Sequence, residues 1–410
     1  MPSTFPPGQA APADGRIGAA ALATLPEHPL AFYVHVPFCA TRCGYCDFNT
    51  YTATELGEHP GASRATYADG VMRELDLATR VLGEAADRPP VSTVFFGGGT
   101  PTLLDPAHLT GIVAAIDERF GLAEHAEVTT EANPDSVDLD ALRRLRDGGI
   151  NRISFGMQSA VPRVLATLDR THDPERLPDV VAWARAAGFD QISLDLIYGT
   201  PGESEQDWRR SVESVVALRP DHVSAYALIV EPGTALARQV DRGDVPEPDD
   251  DDLADKYVLA DEMLGAAGLG WYELSNWSRD RAARCRHNET YWTSGNWWGL
   301  GPGAHSHVGG VRWWNVKHPT AYAGRLAEDV SPAHAREVLD EPTRRVERVL
   351  LESRLRDGLD VTLLDDEGRR RLARLVAEGL VDPGELPSGR LVLTRRGRLL
   401  ADAVVRDLLP

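Results

Sequence analysis

Cys39, Cys43 and Cys46 form a C-x3-C-x2-C run, which puts three thiolates on one short loop with no fourth in line. Cysteine thiolates hold iron–sulfur clusters, usually in fours, so a three-cysteine loop implies a cluster with one iron left for a substrate or cofactor. A structural zinc site wants four tetrahedral donors and would have to recruit a distant group such as His35 or Cys285. The spacing is not the paired C-x2-C pattern of such sites, which leaves zinc as the second reading. Disulfides come last: four cysteines in 410 residues, three of them within eight positions, are not distributed as staples.

Such a loop needs elements to carry it. Six β-rich runs, at 31–36, 91–96, 127–131, 152–155, 191–197 and 222–228, alternate with candidate helices near 64–86, 106–119, 138–147, 174–187 and 204–218. Repeated strand–helix units with right-handed crossovers give a parallel sheet. The alternation ends near Pro232, too early for eight units, so the expectation is an α/β fold built on an open (β/α)6 partial TIM barrel.

Ligands in such folds sit at the carboxyl ends of the strands. The cysteines follow the first run, Gly97 to Thr100 the second, Glu131 ends the third, Gln158 follows the fourth and Asp195 lies in the fifth. A glycine run is often only a turn and a strand-end carboxylate only a helix cap, but all five meeting at one rim argues for a site. Glycines let backbone approach a ligand closely. Glu131 and Asp195 offer acceptors for an amino group or vicinal hydroxyls, Arg170 a planar fork for a carboxylate, and Tyr45 a ring for an adenine.

Composition bounds the rest. The chain is 42% hydrophobic and 26% charged, as globular proteins are, and its net charge of −19 argues against a nucleic-acid partner. No apolar stretch reaches membrane-span length and no export signal opens the chain, so an integral membrane protein is not expected and the cytoplasm is the default. Residues 1–28, rich in Pro, Ala and Gly, read as a disordered leader, and 245–252, rich in Pro and Asp, as a solvated linker before a helix near 253–267.

The cysteine loop resembles that of the radical S-adenosylmethionine (SAM) superfamily, which implies a [4Fe–4S] cluster on Cys39, Cys43 and Cys46 with SAM on the open iron. Further stretches are similar to its coproporphyrinogen dehydrogenase and heme chaperone branch: YVHVPFC at 33–39, FGGGTPT at 96–102, EANP at 131–134, NRISFGMQS at 151–159, RTH at 170–172 and SLDLIYGTP at 193–201. The resemblance implies SAM contacts from Tyr33, Tyr45, Gly98, Gly99, Thr100, Glu131, Gln158, Arg170, Asp195 and, by a weaker correspondence, Ala227.

Two features divide the branch. Dehydrogenases continue the loop as C-x-C, where this chain has Phe48, and chaperones carry H-N-x-x-Y-W, present as HNETYW at 287–292. That motif, with GLGPGAHS at 299–306, favours heme as cargo. Imidazole is a common axial ligand, so His287 ranks above Cys285, His305 or His307, with Tyr291, Trp292, Trp297 and Trp298 as rings to cover a porphyrin. An aromatic cluster is also how plain core looks.

The expected layout is then a leader at 1–28, a radical SAM partial barrel at 29–240, a connecting, heme-binding region at 241–335 and a winged-helix-like C-terminal domain at 336–410, without the basic face of a DNA binder. Expected partners are heme and recipient hemoproteins, some of them membrane-associated, the protein itself being a monomer or dimer. The function implied is a heme chaperone; the alternative is an oxygen-independent coproporphyrinogen III dehydrogenase.

Overall fold

Alternation along the β-rich runs decides how they sit. In the computed structural model, which describes residues 6–56, 63–83, 85 and 87–409, a two-residue strand, β1 (Gln9–Ala10), opens the chain. The six runs follow as β2 (Leu30–Val36), β3 (Val91–Gly98), β4 (Leu122–Ala132), β5 (Arg152–Gln158), β6 (Gln191–Tyr198) and β7 (His222–Ala227). Each pairs in parallel with the next, which makes the expected six-stranded partial barrel.

Successive side chains on a strand point to opposite faces. Phe32, Val34, Phe96, Ile153, Phe155, Leu194 and Leu196 are buried outward, under the crossover helices Tyr67–Leu82, Pro106–Phe120, Leu139–Asp147, Leu177–Ala186 and Glu205–Leu218. Each such side chain contributes about 1.5–3 kcal/mol on burial. The helices start where short polar side chains take up orphan amides: Asp105 accepts from Ala107 N–H, Asp138 from Ala141 N–H, and Ser204 with Asp207 forms a capping box. The inward positions are mostly polar: Thr93, Glu127, Thr129, Glu131, Arg152, Ser154, Ser193, Asp195, His222 and Ser224 face the barrel lumen, with Phe95 and Tyr33 among them.

The sheet does not stop at six strands. The hairpin of β8 (Gly270–Glu273) and β9 (Asn276–Ser278) adds antiparallel to β7. On the other edge β10 (Asn296–Leu300) pairs in parallel with β2, and β11 (His305–Val308), β12 (Val311–Asn315) and β13 (Ala333–Val338) extend it antiparallel. Region 241–335 therefore completes the barrel sheet at both edges instead of standing beside it.

Two expectations need correction. The leader is not disordered from residue 9 onward: β1 pairs with Ala335 and Arg336 of β13, a helix forms over Ala19–Ala23, and Ile17, Leu22 and Leu25 are buried. An edge strand with open backbone groups takes the nearest segment as partner, and three well-spaced apolar side chains anchor it. Residues 1–5 lie outside the described residues. The acidic run at 250–252 is not linker but the first turn of the Asp250–Ala266 helix, capped by Asp249, where carboxylates suit the helix dipole.

The C-terminal piece has its own core of Val349, Leu359, Leu375, Leu391, Val404 and Leu408. It consists of helices Glu341–Glu352, Asp366–Ala377 and Ala401–Leu408 and a two-stranded sheet of β14 (Leu359–Asp360) and β15 (Arg390–Leu391).

Replacing Leu25, which is fully buried, by Ala should cost about 2–5 kcal/mol. Urea unfolding should show a lower midpoint at unchanged slope; a midpoint equal to wild type would return this segment to a dispensable leader.

Candidate cluster and cofactor site

The cysteine loop leaves the end of β2 and is clasped by backbone. Cys39 N–H donates to Tyr51 O (3.0 Å) and Tyr51 N–H to Pro37 O (2.7 Å). Gly44 N–H donates to Leu168 O (3.2 Å), Leu236 N–H to Gly44 O (2.8 Å), and Cys46 N–H to Cys43 O (3.2 Å). All three cysteines are free thiols, half-buried. Burial pushes the Cys39 thiol up and the Cys46 thiol to about 11, so thiolates here require positive charge. The Arg170 guanidinium, whose Nη1 lies 3.6 Å from Cys43 Sγ, supplies part of it, and irons would supply the rest.

The donor set fits a cluster better than zinc. His35 has both ring nitrogens engaged, Nε2 with Asn49 O (2.9 Å) and Nδ1 with Tyr33 Oη (3.0 Å). Cys285 lies deep in the lumen, its Sγ 3.7 Å from Glu127 Oε1, four residues below Glu131 on β4. Among the described residues no three His, Cys, Asp or Glu side chains converge tightly enough for a single ion. A cubane takes one thiolate per iron and needs no such convergence.

Beside the loop, Gly97 to Gly99 serve close packing of the chain against itself more than against a ligand. Gly99 N–H donates to Val36 O (2.8 Å) and Thr100 N–H to Phe38 O (2.7 Å). A Cβ at Gly99 would collide with the Phe38 carbonyl, and one at Gly98 (φ +109°) would lie 2.5 Å from the His35 ring. Gly98 N–H turns instead to Glu131 Oε2 (3.2 Å), the one hydrogen bond this carboxylate receives among the described residues.

Glu131 and Asp195 face the lumen together. Burial, with Asp195 adding repulsion, pushes the Glu131 carboxyl up to about 8. Burial also raises Asp195, against hydrogen bonds from Ser224 and from Ser154, whose Oγ lies 2.8 and 2.9 Å from its two oxygens. A carboxylate as short of donors as Glu131, beside a second carboxylate, is matched to a ligand that brings hydroxyls or an ammonium.

The same rim carries Gln158 and Arg170. Gln158 has a left-handed backbone (φ +62°) at an irregularity between β5 and β6, the kind of bulge that re-aims a side chain. Arg170 Nη2 donates to Gly156 O (2.8 Å), while its buried Nε has no partner among the described residues, as a guanidinium kept for a carboxylate would. Tyr33 points inward beside Glu131, Tyr45 packs with Leu168, Ile197, Leu228 and Leu236, and Ala227 ends β7 opposite Tyr198. These residues and the loop fit a SAM-binding cluster protein.

His287 does not join them as an open ligand. Its ring is buried in the lumen, with Nδ1 2.8 Å from Thr93 Oγ1 and Nε2 2.7 Å from Tyr291 Oη. Both in-plane positions are thus spent, and iron ligation here would break one of the two bonds. Nor can all four expected rings cover one porphyrin. Trp297 and Trp298 are consecutive on β10 and point to opposite faces, Trp297 to Tyr291 and His307, Trp298 to Trp313.

Sequence reasoning passed over Thr93, Phe95, Glu127, Arg152 and Ser154, which build the lumen. The available signal was the polar character of Thr93, Glu127, Arg152 and Ser154 at alternate positions of runs otherwise buried on both faces; Phe95 carried none.

Known proteins fit this geometry. Residues 33–215 match the radical SAM superfamily model. The chain is 52% identical over 388 residues to a protein named heme chaperone HemW from Mycobacterium tuberculosis, covering 95% of this chain and 97% of the relative. It is 30% identical over 378 residues to HemW of Bacillus subtilis, covering 91% and 97%. Among solved structures, HemN, the coproporphyrinogen III oxidase of Escherichia coli, superposes with a TM-score of 0.79 at 26% identity, over 95% of this chain and 92% of that one.

Anaerobic reconstitution should give a cluster whose iron and sulfide are lost in Cys39→Ala, Cys43→Ala or Cys46→Ala and kept in Cys285→Ala; loss in the last would mean a protein-bound fourth iron. Isothermal titration should show SAM weakened in Glu131→Ala and Asp195→Ala. Since the ionised carboxylate is the form that accepts from SAM, affinity should rise as the pH is raised through about 8, where Glu131 loses its proton. A Glu131→Gln variant with the same rise would remove Glu131 as its source.

Proposed function

The chain belongs to the HemW family of heme chaperones within the radical SAM superfamily, and from that premise we propose that it binds heme and hands it to hemoproteins, with cluster and SAM held at the barrel rim. Cys39, Cys43 and Cys46 would hold the [4Fe–4S] cluster, and Tyr33, Gly98, Gly99, Thr100, Glu131, Gln158, Arg170 and Asp195 the SAM, with Tyr45 and Ala227 at its margin. When bound, the pair supplies one-electron chemistry on SAM. The chain's own residues orient and shield it: Arg170 beside Cys43 balances thiolate charge, and the carboxylates of Glu131 and Asp195 accept from the ligand.

The observation that carries the chaperone reading is Phe48. It stands where dehydrogenases of this branch have a further cysteine, and the residue is 49% exposed just after the cluster loop. Tyr226 and Ile229, at the end of β7, are likewise exposed. Phe48 follows the loop after β2 and Ile229 the end of β7, with the Tyr226 ring beside Asp195 at the same end of the lumen, so exposed apolar surface stands at the carboxyl-end rim, as suits a flat apolar cargo. We assign heme to this mouth and not to His287 as it stands in the lumen.

The dehydrogenase remains the second reading because the architecture matches the HemN structure over nearly all of both chains. Recipients are proposed to be hemoproteins of the cytoplasm or of the membrane surface, met by a protein in which no described helix is long and apolar enough to cross a membrane. A monomer or dimer would serve.

Titrating hemin into the protein with reconstituted cluster should give a saturable Soret band. With SAM, reductant and coproporphyrinogen III, no protoporphyrinogen IX should form. Its formation at more than trace turnover would sink the chaperone reading and restore the dehydrogenase.

A further inference from the structure

We propose that His287 is a positioning residue of the SAM pocket, the strut that holds the rings of Tyr33 and Phe95 beneath the glycine run and Glu131. This rests on reading the rim as the SAM site.

The HNETYW motif forms the short helix Arg286–Trp292, lodged against β3 and β4 on the lumen side. Glu127 anchors its start, accepting from Arg286 N–H (2.9 Å) and His287 N–H (3.1 Å). The imidazole then stacks on Phe95, with centroids 5.1 Å apart and planes at 21°, and on Tyr33 at 6.3 Å and 30°. Tyr33 and Phe95 complete the stack at 6.4 Å and 26°.

Two routes lead from this stack to Glu131. Along the first, Phe95 lies against Gly97: a Cβ there would be 3.0 Å from the ring and 3.1 Å from Glu131 Oε2. Along the second, Tyr33 Oη meets His35 Nδ1 (3.0 Å), the His35 ring underlies Gly98, and Gly98 N–H donates to Glu131 (3.2 Å). A shift of the imidazole therefore reaches the carboxylate through packed groups without His287 touching the ligand.

Among the aromatic side chains, only imidazole carries two polar atoms in the plane of its ring. Burial holds it neutral, so one nitrogen donates and one accepts, matching the hydroxyls of Thr93 and Tyr291. A phenyl ring would keep the stack and lose both bonds. An amide would keep a bond and lose the stack.

The test is SAM titration of the full chain with reconstituted cluster, read by calorimetry and by the change SAM makes in the EPR signal of the reduced cluster. His287→Phe should weaken SAM about tenfold, the scale of one or two lost buried hydrogen bonds, at unchanged iron content. Tyr291→Phe should act in the same direction and add little on top of His287→Phe, because the two act through one contact. Glu131→Ala is the control. If it binds SAM normally, the rim reading itself fails. If it loses SAM while His287→Phe and Tyr291→Phe bind SAM and shift the EPR signal as wild type does, the strut is overturned. Should His287→Phe not fold, Tyr291→Phe decides alone.

Discussion

Everything at the rim depends on how closely β3 packs against the chain leaving β2. The hydrogen bonds from Gly99 N–H to Val36 O and from Thr100 N–H to Phe38 O continue the β2–β3 ladder beyond the strands. They do so only because position 99 has no Cβ to meet the Phe38 carbonyl. The cysteine loop therefore starts from a fixed point. From the same place Gly98 holds Glu131, and His35 holds Asn49, whose Nδ2 reaches the carbonyls of Pro302 (3.0 Å) and Lys317 (2.9 Å). Cluster loop, cofactor carboxylate and the extra strands share one backbone contact, which is the economy a preorganised site needs.

A polar lumen is an expensive way to fill a barrel. Buried charges cost several kcal/mol each unless paired or hydrogen-bonded, and most here are. Ser154 and Ser193 donate to Asp195, Arg152 Nη1 donates to Ala283 O (2.9 Å), and Glu127 receives two backbone amides. His222 bridges Ser193 and Tyr272. Glu131 and the Nε of Arg170 stand apart as under-satisfied groups. Violations of polar satisfaction collect where a ligand completes them, and these two flank the place where SAM is proposed to lie.

The shared architecture with HemN shows why fold alone does not divide chaperone from dehydrogenase. Six parallel strands and a three-cysteine loop serve both. The sequence feature that separates them is local: Phe48, exposed just after the cluster loop, stands where dehydrogenases of this branch continue with cysteine.

Much of this was legible in the primary structure. C-x3-C-x2-C spacing, period-2 runs and intervening helices are local signals, so the three-cysteine loop after the first strand, the six strands and the strand-end position of Glu131 and Gln158 could be read directly. Contacts distant in sequence could not. The leader's pairing with β13, the two-edged extension of the sheet by residues 270–338 and the burial of His287 between Thr93 and Tyr291 depend on partners far along the chain. Motif and composition establish which chemistry the chain can do. Whether a glycine meets a ligand or a carbonyl, and whether an imidazole keeps a free nitrogen, was decided only by tertiary packing, because hydrogen bonds and close contacts are matters of distance, and distance is set by the fold.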